Sequence, residues 1–180
     1  MNTYLIKGAK YLSGEIRVSG SKNALLPILA ASCICKSIIT LNNVPNLEDT
    51  KSMIEILKSL NVRVIYDFES KMIVDSRYIK NTVLDTSEIK KLRASYYFMG
   101  ALLSLYNNVK IASPGGCNFD TRPIDLHLYA FSCLGVESKF DNGLYHLRKA
   151  KKQINKIEFK KVTVGGTINA ILASVKTKGI

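Results

Sequence analysis

Cys117 follows two glycines, Gly115 and Gly116, with Arg122 close behind it in the chain. A thiol in a basic, exposed loop is drawn toward its thiolate and can act as an acid or a nucleophile; an incidental loop cysteine is the alternative. Lys22 lies just after Ser19-Gly20-Ser21, at the expected start of a helix. There an ammonium adds a point charge to backbone N–H groups already suited to an anion. Asn23 beside it offers neutral hydrogen bonding, and simple solvation is the other reading of Lys22. Arg122 can grip a phosphate or carboxylate through its planar fork. Pro123 stiffens the backbone after it, and Asp125 can cap the next helix whether or not it meets a ligand. Arg93 stands on an otherwise apolar stretch, Leu92 to Leu103. Beside buried positions it needs a partner; otherwise it faces solvent. Lys161 to Val164 precede a further helical stretch, where backbone amides and the Thr163 hydroxyl could receive phosphate oxygens. His127 either lines such a site or is a hydrogen-bonded structural histidine, and His146 reads as surface.

The elements that must position these residues repeat. Lys22-Asn23-Ala24-Leu25-Leu26-Pro27 opens an Ala-rich helix, Ile38–Leu41 is β-branched, and Asn43-Val44-Pro45-Asn46 is a turn. Asp49 can then cap a helix with Met53, Ile54, Leu57 and Leu60 on one face. Asn61 ends it, and Val62, Val64 and Tyr66 alternate as a strand. The same order returns with a helix carrying Arg93-Ala94-Ser95 through Leu103, a strand at Val109–Ile111, and a Gly/Pro turn over Ser113–Gly116. A second helix follows from Asp125 to Leu134, then Gly135 and an alternating Val136, Ser138, Phe140. Asp141-Asn142-Gly143 is a hairpin signal leading into Leu144–Leu147. Ala24 to Ala94 is an offset of 70 and Leu60 to Leu134 one of 74, so the second copy carries a longer loop, and that loop contains Cys117. Loops added to a repeated scaffold commonly carry function. A third copy opens with Thr163–Ala173 and meets a stop signal at Gly179-Ile180. Two complete β/α units and the start of a third read as a truncated domain; the alternative is a compact two-repeat domain with a helical cap.

Composition bounds the function class. The 180 residues are 47% hydrophobic, enough for one domain with a core. The mean hydropathy of +0.06 argues against disorder. There is no apolar run of membrane-spanning length and no signal-peptide pattern at the N-terminus, so the expectation is a soluble, cytoplasmic protein with no membrane partner. The net charge of +12 favours anionic partners. The lysines are dispersed and no nucleic-acid-binding motif occurs, so no nucleic acid is expected; a Lys-, Ile- and Asn-rich composition also follows from AT-biased codons. Cys33, Cys35 and Cys133 lie in apolar stretches and read as small core residues. No cysteine spacing suits zinc, and neither metal nor cofactor is expected.

Six motifs in series give a resemblance: Ser19–Ala31, Asn43–Asp49, Leu92–Ser95, Pro114–Cys117, Arg122–His127 and Lys161–Gly165. Together they resemble the enolpyruvyl transferase family. Lys22-Asn23 and Pro114-Gly115-Gly116-Cys117 are similar to its UDP-sugar branch rather than to the 5-enolpyruvylshikimate-3-phosphate synthase branch, which stays as an alternative. The resemblance implies an α/β fold of repeated β/α units, an inside-out barrel of two similar domains with the active site between them. Residues 1–20 would then cross to the second domain, and residues 21–180 would form a truncated first domain. The implied reaction moves the enolpyruvyl group of phosphoenolpyruvate to the 3-hydroxyl of UDP-N-acetylglucosamine and releases phosphate, the first committed step of peptidoglycan synthesis.

By resemblance, Cys117 is the proton donor, can form an adduct with phosphoenolpyruvate and is the fosfomycin target. Lys22 is catalytic and, with Asn23 and Arg122, binds phosphoenolpyruvate. Arg93, Arg122, Pro123, Ile124, Asp125, Leu126, Lys161, Val162, Thr163 and Val164 bind the UDP-sugar. Thr163 stands where the family more often has serine, and Gly166 where it more often has alanine; the glycine is expected to loosen the helix start. The family's catalytic aspartate and a further arginine have no counterpart among these residues. Turnover by the 180 residues alone is therefore not expected, unless a missing C-terminal half is supplied. A non-catalytic UDP-sugar-binding fragment is the second reading.

Overall fold

The computed structural model describes residues 3–115, 124–150 and 156–177. Residues 3–20 run without helix or strand, and Tyr4, Leu5, Ile6, Tyr11, Leu12, Ile16 and Val18 stand exposed along them. Helix α1 (Lys22–Cys35) begins at Ser21, whose hydroxyl accepts the Ala24 N–H at 3.3 Å, and stops at Lys36, which is left-handed with φ 48°. Pro27 sits inside it, so the Asn23 carbonyl lacks its intrahelical donor. Strand β1 (Ile38–Leu41) leads to α2 (Glu48–Ser59) and the hairpin of β2 (Arg63–Tyr66) and β3 (Met72–Asp75). The short β4 (Val83–Leu84) and α3 (Ser87–Lys91) open the next unit. A 3₁₀ turn (Arg93–Tyr96) then feeds α4 (Tyr97–Leu105), β5 (Asn108–Ala112), α5 (Asp125–Cys133) and the hairpin β6 (Val136–Asp141) and β7 (Leu144–Lys149). Helix α6 (Val164–Ser174) follows.

The two units share an order of helix, strand, helix and hairpin. Their sheets run β1-β3-β2 and β4-β5-β7-β6; β4 pairs parallel with β5 and the remaining pairs are antiparallel. The β6–β7 turn is the one its Asn-Gly pair demands, with Asn142 at φ 49° and Gly143 at φ 78°.

Helix α4 is buried on every side, from Tyr97 to Ser104, as an all-round apolar helix must be. It packs against both α1 and α6. Lys36, which ends α1, holds its ammonium 6.0 Å from the ring of Tyr106, which ends α4, so these two helices finish together. At the other end, Tyr96 and Gly100 meet Gly165 and Asn169 in the same order along α4 and α6. The three helices are therefore parallel, and their N-termini lie at one end of the molecule.

Several local expectations are corrected. Asp49 and Asp125 do not cap their helices: the caps are Leu47 and Ile124, without side-chain bonds, and each aspartate stands in the first turn, where a carboxylate still suits the helix dipole. The stretch from Arg93 to Leu103 is not one helix but a 3₁₀ turn joined to α4. Cys35 is exposed, whereas Cys33 and Cys133 are buried. Burial pushes the Cys33 thiol up to about 12, which leaves it inert. Phe140 does not alternate inward; it is exposed and stacks on its cross-strand partner Tyr145 at 4.6 Å.

Candidate active site

The first residue of α1 is Lys22. Its ammonium reaches across to the first turn of α2 and pairs with the Asp49 carboxylate at 3.0 Å. Gly20 lets the chain before α1 lie against the turn that precedes α2, because a Cβ there would run into the Asn43 carbonyl. Asn23 is exposed in the same first turn. Both side chains of the ion pair keep substantial exposure, so it orients Lys22 more than it stabilises the fold. No motif or spacing in the chain links Lys22 to Asp49 in advance.

A second group gathers at the starts of the 3₁₀ turn, α5 and α6. Arg93 lies half-buried with its guanidinium 5.8 Å from the centre of the Tyr96 ring. Tyr96 packs on His127 at 4.4 Å. A Cβ on Gly165 would come 2.8 Å from the Tyr96 hydroxyl and 2.9 Å from the His127 ring, so only glycine lets α6 start this close. His127 is buried, and its imidazole is pushed down to about 4, first by burial and then by the Arg93 charge, against a smaller opposing pull from Asp125. It is therefore neutral. The structure thus brings Arg93, Ile124, Asp125, Leu126 and the start of α6 to one place. Ile124 is buried, Leu126 half-buried, and Asp125, Lys161, Val162 and Val164 are exposed. Cys117, Arg122 and Pro123 lie outside the described residues, in the segment between β5 and Ile124.

Helix α6 corrects one expectation. Thr163 caps it, accepting the Gly166 N–H at 3.1 Å. A Cβ at Gly166 would fall 2.7 Å from the Thr163 Cγ2 and 3.0 Å from its Oγ1. The glycine does not loosen the helix start; it makes room for the methyl that threonine adds to serine. Thr163 and Gly166 are thus matched to each other in space. Gly166→Ala is therefore expected to lower stability by about 1 kcal/mol with Thr163 present and to be neutral or stabilising in a Thr163→Ser background. Denaturant titration of the four proteins measures this coupling, and additive effects would contradict it.

In α1 and α6 the remaining first-turn N–H groups have no intrahelical acceptor, whereas α4 continues from the 3₁₀ turn and its first N–H groups are already bonded. The starts of α1, of the Arg93–Tyr96 turn and of α6 thus lie at one end, with Lys22 and Arg93 beside them, an arrangement suited to anionic oxygens. Two shallow concavities lie elsewhere. One, of about 420 Å³, is on the face of the second sheet around Lys110, Lys139 and His146; the other, of about 610 Å³, is near Arg63 and Arg77. Neither collects the helix starts. Among the described residues no group of three or more His, Cys, Asp or Glu side chains could hold a metal ion, and no helix is long and apolar enough to cross a membrane.

Comparison with known proteins bears on the family and the fold. The chain is 38% identical over 179 residues to UDP-N-acetylglucosamine 1-carboxyvinyltransferase 2 of Bacillus anthracis, covering 99% of this chain and 42% of that protein. It is 39% identical over 180 residues to UDP-N-acetylglucosamine 1-carboxyvinyltransferase of Acinetobacter baylyi, covering 99% and 43%. The chain thus spans less than half the length of these relatives. The crystal structure of the enolpyruvyl transferase NikO from Streptomyces tendae superposes with a TM-score of 0.68 at 22% identity, over 81% of this chain and 32% of that one, which shows the shared fold. The family model described as EPSP synthase (3-phosphoshikimate 1-carboxyvinyltransferase) matches residues 6–180, and the chain belongs to that family of enolpyruvyl transferases.

Proposed function

We propose that this chain supplies the substrate-holding part of an enolpyruvyl transferase that moves the enolpyruvyl group of phosphoenolpyruvate to the 3-hydroxyl of UDP-N-acetylglucosamine. The observation that carries the reading is the meeting of the starts of α1, the Arg93–Tyr96 turn and α6, with Lys22, Arg93 and Thr163 beside them. A diphosphate and a phosphoenolpyruvate bring the negative charge such an end attracts. The names of the similar proteins favour UDP-N-acetylglucosamine over a shikimate substrate.

In this reading Lys22 and Asn23, with Arg122, receive phosphoenolpyruvate, and Asp49 holds the Lys22 ammonium until the substrate arrives. Arg93, the segment Arg122–Leu126 and the segment Lys161–Val164 receive the UDP-sugar. Cys117 gives a proton to the methylene carbon while the sugar hydroxyl gives up its proton to a base and its oxygen bonds to C2; the resulting adduct then loses phosphate from C2 and a proton from the new methyl group, which restores the double bond. Cys117 is also the site fosfomycin would alkylate. The product feeds peptidoglycan synthesis in the cytoplasm. Residues 1–20 pack against a second domain; the exposed apolar side chains from Tyr4 to Val18 support this, since such a run is rarely left uncovered.

Arg93→Ala tests the ligand assignment. Losing a charged hydrogen bond to phosphate removes about 1.5–3 kcal/mol, so UDP-N-acetylglucosamine should bind the variant at least about tenfold more weakly. Isothermal titration of both proteins gives the ratio, and equal affinities would contradict the assignment.

A further inference from the structure

Asn169 is a polar residue in an apolar helix, fully buried in α6. Both amide hydrogens and the carbonyl oxygen have partners. The carbonyl oxygen accepts the Gly100 N–H at 3.1 Å, and the NH₂ donates to the Tyr96 carbonyl at 3.0 Å. The same NH₂ lies 2.9 Å from His127 Nδ1. These partners fix the amide's orientation, because a backbone N–H can only donate and a backbone carbonyl can only accept. The second amide hydrogen must therefore point at His127, and Nδ1 must offer it a lone pair. The ring proton is then on Nε2, whose edge of the imidazole lies against the start of α6 at Gly165.

Three elements meet on this one side chain. Tyr96 ends the turn that carries Arg93, His127 lies in the first turns of α5 behind Ile124–Leu126, and Asn169 belongs to the helix that Lys161–Thr163 introduce. We propose that Asn169 is a positioning residue: it fixes the Nε2–H tautomer of His127 and clamps the three ligand-holding segments in register. The second half of this rests on the UDP-sugar reading above, and the first half does not. A ligand site must be held to a fraction of an ångström by residues behind it, and a partnered buried amide is suited to that task.

Replacing one amide group isolates the role. Asn169→Asp keeps the acceptor for Gly100 and removes both donors. The new carboxylate repels the His127 Nδ1 lone pair and favours a proton there. Long-range ¹H–¹⁵N spectra of the imidazole in the full 180-residue chain should show Nε2–H in the wild type and Nδ1–H or the doubly protonated ring in Asn169→Asp. UDP-N-acetylglucosamine should bind the variant about tenfold more weakly. A wild-type His127 protonated on Nδ1 overturns the proposal, and this readout needs no variant to fold. Unchanged UDP-sugar affinity in a folded Asn169→Asp with a switched tautomer overturns the clamping role. Absence of UDP-sugar binding by the wild type, with the tautomer as described, would instead count against the substrate assignment alone.

Discussion

Lowering the pH from 7 toward 4 is expected to remove about 3 kcal/mol of stability through His127 alone. The folded protein holds this imidazole neutral, with its affinity for a proton pushed from the ordinary 6.5 down to about 4. Between those values the unfolded chain binds a proton that the folded chain refuses. The contribution is therefore fully present above about 6.5, falls as the pH drops through this window, and is gone below about 4. The geometry agrees with the sign, because a protonated Nδ1 would point its hydrogen at the Asn169 NH₂. Asp67, Asp75 and Glu88 are held below their ordinary 3.8, 3.8 and 4.5, by backbone N–H groups, Arg77 and Ser87 respectively, so their losses come mainly at lower pH. Urea midpoints measured from pH 7 to 4.5 should fall steadily in the wild type and much less in His127→Gln. A flat wild-type profile would contradict the buried neutral imidazole.

Gly100→Ala should be among the most damaging single-methyl additions to this chain. In an open helix the change would stabilise by about 1 kcal/mol. Here the new Cβ would lie 2.5 Å from the Asn169 side-chain oxygen, 2.7 Å from the Asn169 backbone oxygen and 3.1 Å from the Leu172 Cβ. A side-chain oxygen alone could turn aside, but the backbone oxygen moves only if α6 moves. Overpacking of this kind costs about 1–3 kcal/mol, and a stretched or broken buried hydrogen bond adds about 1–3 kcal/mol. The steric term wins, with a net loss of about 2 kcal/mol or more. Because α6 would be pushed off α4, UDP-sugar affinity should fall with the melting temperature. Calorimetry of the two proteins decides the sign, and a rise in stability would show that the helices are not in contact.

Much of this architecture is legible from residue order. The left-handed positions at Asn61, Gly135, Asn142 and Gly143 all fall where the sequence signals turns. Helix faces also follow their spacing: Met53, Ile54, Leu57 and Leu60 are all buried. The failures have physical causes. Leu92 is extended, with ψ 114°, and separates α3 from the next turn, whose first residues Arg93–Tyr96 wind as 3₁₀ before α4 begins. Phe140 is exposed because β6 is the edge strand of its sheet and is open to solvent on both faces from Glu137 to Phe140, so a cross-strand ring substitutes for core packing. Asp49 proves to be an ion-pair partner, a contact between two helix starts that no periodicity encodes.

The candidate site divides in the same way. Lys22, Arg93 and Thr163 are visible as residues whose types suit anions, and the parallel packing of α1, α4 and α6 explains how such distant positions share one end. Asn169, Tyr96, Gly100 and Gly165 escape a search for chemistry because their importance is in contact distance. A lone asparagine within Val164–Ser174 is the available signal, since a buried amide demands partners. The match between Thr163 and Gly166 is similar: each looks like a small detail alone, and the pair makes sense only when the methyl and the missing Cβ occupy the same space.

An amide chemical-shift titration of the ¹⁵N-labelled chain with UDP-N-acetylglucosamine tests most directly whether the shared helix starts hold the ligand. Saturable shifts should concentrate at those three starts, in Lys22–Ala24, Arg93–Tyr96 and Val164–Gly166, and weaken with added salt as anion binding at exposed helix ends must. No shift at millimolar ligand, or shifts confined to the sheet face around Lys110, Lys139 and His146, would contradict it.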